Sequence, residues 1–189
     1  VTAVHTDVRQ VETASGERMP YDKLVLAMGA IPRRLAAAES IDGVFKLRHR
    51  DDAARLRSAS ARASSVIVIG GGYIGLEVAA KLAKSGKNVT VIEAARRLLA
   101  RVASPAISAF FADLHAEAGA MVITDAVVED IAADHGGCSH VMLSDGMQLF
   151  ADMLVVGIRV TPETALAEAA GIETGNGILV DARMQTSMA

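Results

Sequence analysis

The sequence predicts an α/β fold, a parallel sheet with an attached three-stranded β-ribbon, from three observations. A β-branched run, Val66–Ile69, is followed at once by Gly70, Gly72 and Gly75 in G-x-G-x-x-G spacing. The next stretch has helical periodicity and leads to a second β-branched run, Val89–Ile92, closed by Glu93. Residues 11–32 and 141–162 run parallel at a constant offset of 130 residues. Two short apolar runs joined by a glycine turn and an amphipathic helix fit buried parallel strands. The repeat adds a ribbon-and-strand module that occurs twice.

Residues 1–35 predict a β-ribbon, turning at Ser15-Gly16, and then a strand ending at Gly29. Residues 36–63, rich in Ala, Arg, Ser and Asp, predict a polar crossover, with Asp51-Asp52 opening a short helix that turns Leu56 inward. After the Val66–Ile69 strand, Ile74, Val78 and Leu82, with Ala79 and Ala83, define the inner face of a helix. Gly86 ends it in a left-handed conformation. Ser104 and Pro105 are an N-cap and a first-turn proline, with Ile107, Phe110, Phe111 and Leu114 as the apolar stripe and Gly119 as the stop. Met121–Thr124 is the third strand. Residues 126–151 predict the ribbon, with turns at His135–Gly137 and Asp145-Gly146. A buried strand then runs from Asp152 into Gly157, and a short helix lies near Glu163–Ala170.

In the repeat, Val11 matches Val141, Gly16 matches Gly146 and Asp22 matches Asp152. Leu24-Val25 matches Leu154-Val155, and Pro32 matches Pro162. The second copy follows its own Gly-rich βαβ unit. Duplication therefore predicts another nucleotide-binding βαβ unit before Val1.

Residues 66–93 fit a dinucleotide site. A pyrophosphate is favoured at a helix N-terminus, where free N–H groups and the macrodipole attract an anion. Gly70 permits the tight turn, Gly72 leaves room for the phosphates and Gly75 lets helix and strand pack closely. Glu93 is placed to accept both ribose hydroxyls and to repel a 2′-phosphate, which predicts a preference for NADH, although Arg96 and Arg97 follow closely.

Other classes are disfavoured. A net charge of −3 with mixed signs gives no nucleic-acid or anionic-membrane signature. No apolar run approaches the roughly 20 residues of a membrane span, and VTAVHTDVRQ does not read as a signal peptide. Cys138 is the single cysteine, so the chain holds no disulfide framework and no C-x-x-C pair, which fits a cytoplasmic setting. The five histidines lie at no metal-ligand spacing. No catalytic side chain and no metal site is expected.

The chain resembles the middle of the FAD-dependent pyridine nucleotide oxidoreductases, and among them the ferredoxin reductases of the putidaredoxin, rhodocoxin and rubredoxin reductase type. VIGGGYIGLEVA is similar to their NAD fingerprint, and RLLARVASPAISAFFADLHAEAG to the segment that follows it. LVLAMGAIPR resembles the A-T-G-x-x-P-R return strand of the FAD domain. ADMLVVGIRVTPETALAEAAGIETGNGILVDARMQTS resembles the second crossover. Two positions depart from the pattern. Met28 stands in the usual place of Thr, and Arg159 replaces a Gly, which places a cation beside the adenosine end of the site.

The resemblance implies a Rossmann-like NAD-binding domain at 64–151, flanked by parts of an FAD-binding domain at 1–40 and 152–189, with a crossover at 41–63. It implies that Gly70, Gly71, Gly72, Tyr73, Ile74, Gly75 and Glu93 hold NAD, with Arg97 and Arg101 on the adenosine side. Gly157 and Ile158 line the same pocket, and Glu77 faces the nicotinamide. Ala27, Gly29 and Arg33 touch FAD. It further implies electron transfer from NADH through FAD to a ferredoxin or rubredoxin-type iron–sulfur protein. The family's amino-terminal flavin fingerprint and closing G-D motif are not in this sequence, so the chain alone is expected to be inactive. The rival expectation is an apoptosis-inducing-factor-like protein in which NADH binding controls assembly.

Overall fold

The computed structural model describes residues 1–188 apart from 34, 39, 40, 42 and 134–138, and the backbone only at 36 and 139. Cys138 and the expected turn at His135–Gly137 lie outside the described residues.

The chain opens with strands β1 (Ala3–His5), β2 (Gln10–Glu12), β3 (Arg18–Pro20) and β4 (Ala30–Pro32). Next come β5 (Val44–Lys46), α1 (Arg50–Ser60), β6 (Ser65–Ile69), α2 (Tyr73–Lys84), β7 (Asn88–Ile92), α3 (Pro105–Glu117) and β8 (Met121–Ile123). Three ribbon strands follow: β9 (Val128–Ala133), β10 (Ser139–Leu143) and β11 (Gln148–Ala151). The chain continues through β12 (Met153–Val156), β13 (Val160–Pro162), α4 (Ala165–Ala169), β14 (Thr174–Gly175) and β15 (Gly177–Ile178). Two compact units result, Pro32–Arg159 and a discontinuous unit of Val1–Ile31 with Val160–Ala189. The chain thus crosses between units at 31/32 and 159/160. The first positions of the expected 152–189 segment stay in the larger unit, because β12 belongs to its central sheet.

In the larger unit a five-stranded sheet runs in the order β5-β12-β6-β7-β8, with every neighbouring pair parallel. Alternate residues divide between its faces. Val66, Val68, Val89, Val91, Met153 and Val155 pack under the helices with Leu76, Val78, Ala79 and Leu82. Ile67, Ile69, Ile92, Leu154 and Val156 face the ribbon through Ile131, Val141, Leu143 and Ala151. The ribbon is ordered β11-β10-β9 and antiparallel throughout. Both sheet faces are therefore covered, which is why these strands read as continuous apolar runs.

Helix ends follow the chemistry of the sequence. Asp52 Oδ2 accepts the Arg48 and His49 N–H groups at 3.0 and 2.9 Å, closing the start of α1. Ser104 caps α3 ahead of Pro105. At Gly86 (φ 80) the Gly86 N–H reaches Ala83 O and the Lys87 N–H reaches Leu82 O, a Schellman close, and Gly119 (φ 83) repeats it with Ala116 and His115.

Four expectations need correction. The crossover 36–63 contains β5, which extends the sheet; its three-residue length and half-buried side chains gave no clear period. In α2 the inner face carries Leu76, whereas Ile74 is exposed. In α3, Ile107, Phe110 and Leu114 point outward and only Phe111 of the expected stripe packs on the core. The buried positions are Ser108 and His115, because both find internal carbonyls: Ser108 Oγ donates to Leu98 O at 2.6 Å, and the His115 ring nitrogens lie 2.8 Å from Phe111 O and 3.1 Å from Leu76 O. The strand expected to end at Gly29 is absent. Residues 21–29 are irregular, β4 begins at Ala30, and Val25 is 86% exposed. A strand needs a neighbour for its ladder, and no described strand flanks 23–28.

The repeat itself is visible in the backbone. Val11 faces Met19 across β2–β3, as Val141 faces Leu149 across β10–β11. Gly16 (φ 82) donates to Thr13 O and Gly146 (φ 87) to Leu143 O, both at 2.9 Å. Thr13 N–H reaches Glu17 O, and Leu143 N–H reaches Met147 O. Strands β4 and β13, also related by the offset, pair with one another. Beyond the ribbon the copies diverge. Leu154-Val155 is buried between β5 and β6, whereas Leu24-Val25 is exposed.

Candidate functional site: a dinucleotide cradle at the end of the parallel sheet

The carboxyl ends of β6, β7 and β12 converge on the glycine turn 70–75. Gly70 N–H donates to Ile92 O at 2.7 Å and Gly157 N–H to Ile69 O at 2.8 Å, tying the three strand ends together. Gly70 has φ 113, and a Cβ there would lie 2.6 Å from Gly157 O and 3.3 Å from Ile158 N. A Cβ on Gly75 would collide with Gly70 O. A Cβ on Gly71 would lie 2.5 Å from Leu98 Cδ2. At Gly72, the N-cap of α2, a Cβ would meet nothing within 4 Å. Three of the four glycines are thus closed against protein, and the fourth opens onto free space before a helix N-terminus. That is the room a pyrophosphate needs, and the residues of the cradle fit a dinucleotide.

Glu93 follows the last residue of β7. Its Oε2 accepts the Gly71 N–H at 2.6 Å and its Oε1 accepts the Ala95 N–H at 2.8 Å. An ionised carboxylate has about four lone-pair sites, so these two bonds leave acceptor capacity for ribose hydroxyls. The carboxylate is therefore held at the edge of the turn before any ligand arrives.

The expected residues are distributed as follows. Gly70, Gly71, Gly72, Gly75, Glu93, Gly157 and Ile158 are brought together around the turn. Tyr73, Ile74 and Glu77 lie exposed on the first turns of α2. Arg101 is exposed, whereas Arg97 is half-buried and turned into its own loop, donating to Ala100 O, Ala103 O and Ser108 Oγ. In the smaller unit Ala27 and Gly29 are exposed, with Gly29 at φ 76. In the larger unit Arg33 is exposed and its N–H donates to Arg159 O at 2.9 Å. Arg159 sits past the end of β12, on the opposite flank of β6 from β7 and Glu93.

Leu98 and Leu99 are parts of the site that sequence reasoning missed. They are 1% and 5% exposed, and the Leu99 N–H donates to Gly71 O at 2.9 Å. A leucine pair set among alanines and arginines was the available signal.

Comparison with known proteins agrees with this geometry. The chain matches the model of the family described as pyridine nucleotide-disulphide oxidoreductase over residues 1–189. It belongs to that family. It is 40% identical to putidaredoxin reductase of Pseudomonas putida over 99% of this chain and 46% of that protein. Among solved structures, the ferredoxin reductase for the CYP199A2 system from Rhodopseudomonas palustris superposes with a TM-score of 0.94 at 40% identity, covering 98% of this chain and 46% of that one. The covalent putidaredoxin reductase–putidaredoxin complex gives 0.91 at 38% identity, covering 100% and 46%. The chain spans about half the length of the relatives it matches. Among the described residues no helix is long and apolar enough to cross a membrane, and no cluster of His, Cys, Asp or Glu could hold a metal.

Proposed function

We propose that residues 64–157 form the NADH-binding part of a cytoplasmic FAD-containing reductase that delivers electrons to a ferredoxin or rubredoxin-type iron–sulfur protein. The observation that carries the reading is the glycine turn, closed at Gly70, Gly71 and Gly75, open at Gly72, and bordered by a preset Glu93 carboxylate. The relatives' names support the electron-transfer role.

When bound, the nicotinamide and the flavin supply the redox chemistry, and the protein supplies position and electrostatics. The free N–H groups at the start of α2 take the pyrophosphate. Glu93 takes the adenosine ribose, and Gly157 and Ile158 wall the crevice. Exposed Arg101 serves the adenosine side, Tyr73 and Ile74 belong with the glycine turn that holds NAD, and Glu77 faces the nicotinamide. Ala27, Gly29 and Arg33 contribute to the flavin side. Exposed Leu24 and Val25 support a matching role for residues 23–28, as a strand whose neighbours come from the rest of an FAD domain.

Calorimetry tests the cofactor assignment. NADH is expected to bind more tightly than NADPH, because a 2′-phosphate against Glu93 is repelled and loses charge-assisted hydrogen bonds. Glu93→Ala should narrow that gap by weakening NADH. Equal affinities, unchanged in the variant, would refute the assignment. NADH-dependent reduction of a ferredoxin by a protein containing this segment and FAD tests the wider role.

A further inference from the structure

We propose that Arg97 is a positioning residue, which aims the Gly72 amide at the pyrophosphate without touching the nucleotide. This rests on the dinucleotide reading above and deepens it. The Arg97 guanidinium makes three bonds, Nη1 to Ala103 O at 2.8 Å and Ser108 Oγ at 2.7 Å, and Nη2 to Ala100 O at 2.8 Å. Ser108 is 2% exposed, and its hydroxyl donates a hydrogen bond to Leu98 O at 2.6 Å. The loop between β7 and α3 is thereby folded around one cation, and its Leu98–Leu99 step is pressed against the glycine turn.

The contact that matters is Leu99 N–H to Gly71 O at 2.9 Å. In a trans peptide the carbonyl of one residue and the N–H of the next point in opposite directions within one rigid plane, and the described chain has no cis bond. Fixing Gly71 O from the loop side therefore turns the Gly72 N–H away from the loop. The next group along, the missing Cβ of Gly72, faces open space. Glu93 holds the preceding peptide by the Gly71 N–H. The two peptides that open the anion site are thus each held in place, one by Glu93 and the other by a loop whose shape depends on Arg97. Only a planar fork reaches all three acceptors, so lysine is not an equivalent.

The test combines two readouts on the full chain: NADH affinity by calorimetry and amide hydrogen exchange of Leu99 by NMR without nucleotide. Arg97→Ala should weaken NADH roughly tenfold, the scale of one charge-assisted bond. It should speed Leu99 exchange at least tenfold while amides of β6 and β7 stay protected. Arg97→Lys should recover little. Ser108→Ala, a milder variant, should weaken NADH in the same direction, and the double variant should cost less than the product of the two. Leu99 exchange left unchanged by Arg97→Ala, or multiplicative losses in the double variant, would overturn the proposal. So would a loss of affinity that vanishes at high salt with Leu99 still protected, the signature of a direct phosphate ligand. If the unmodified chain fails to bind NADH, the dinucleotide reading falls, and the exchange result alone decides whether Arg97 orders the loop.

Discussion

Gly72→Ala separates ligand space from folding space more cleanly than any other change in the turn. The backbone at Gly72 has φ −88 and ψ −177, an extended conformation open to alanine, and the added methyl meets nothing within 4 Å. The stability cost is then limited to replacing glycine by a poor N-cap, about 0.5–1 kcal/mol. The same methyl enters the space reserved for the pyrophosphate and pushes it off the helix amides. Loss of one charge-assisted hydrogen bond is worth about 1.5–3 kcal/mol, or roughly 10–100-fold in Kd. Gly75→Ala is the contrasting control, since its methyl collides with Gly70 O and must displace backbone, so it should lower stability by several times more than Gly72→Ala. Urea unfolding gives the first quantity and NADH calorimetry the second. A Gly72→Ala protein that binds NADH within twofold of the original would refute the seating of the pyrophosphate at this turn.

Asp152 supplies a pH-dependent test. Its carboxyl is held below the usual range by the Ser65 N–H, then the Ser64 N–H and the Ser65 hydroxyl. A lowered folded-state pKa gives stability that is present above the unfolded value, near 3.9, and lost as pH falls through the folded value. Asp152→Asn should therefore cost about 1 kcal/mol at neutral pH, kept small by solvent exposure, and nothing in strong acid, as read by urea midpoints from pH 7 down to 2. Arg159 holds φ 87 without being glycine. Arg159→Gly should relieve that strain and raise Tm by a few degrees, a net gain of about 1 kcal/mol after the extra freedom of glycine in the unfolded chain.

The glycine turn, its strands and Glu93 were legible because each rests on a local rule: β-branched runs, glycine spacing, and a helix stop at Gly86. The offset of 130 was legible because turn geometry repeats with its residues, down to the left-handed Gly16 and Gly146. What escaped was decided by partners distant in sequence. Ser108 and His115 are polar, yet carbonyls of Leu98, Phe111 and Leu76 make them core residues and turn the oilier side of α3 outward. Leu24-Val25 has the composition of Leu154-Val155 but lacks its neighbours. The resemblance gave Arg97 a place on the adenosine side, with no sign of the bonds it makes within its own loop. Its three acceptors could be counted only after the loop had folded.

The pairing of β4 with β13 joins residues about 130 positions apart, which has a consequence for the order of assembly. Closing so long a loop in an open chain is entropically unfavourable and slow. The larger unit, however, is one continuous stretch, and all of its parallel pairings are available before Val160 exists. Once that unit is compact, the ends of the intervening chain are no longer separated by a flexible coil. During synthesis, β4 would therefore wait for β13, which is delivered only after the whole of the larger unit between them has been made.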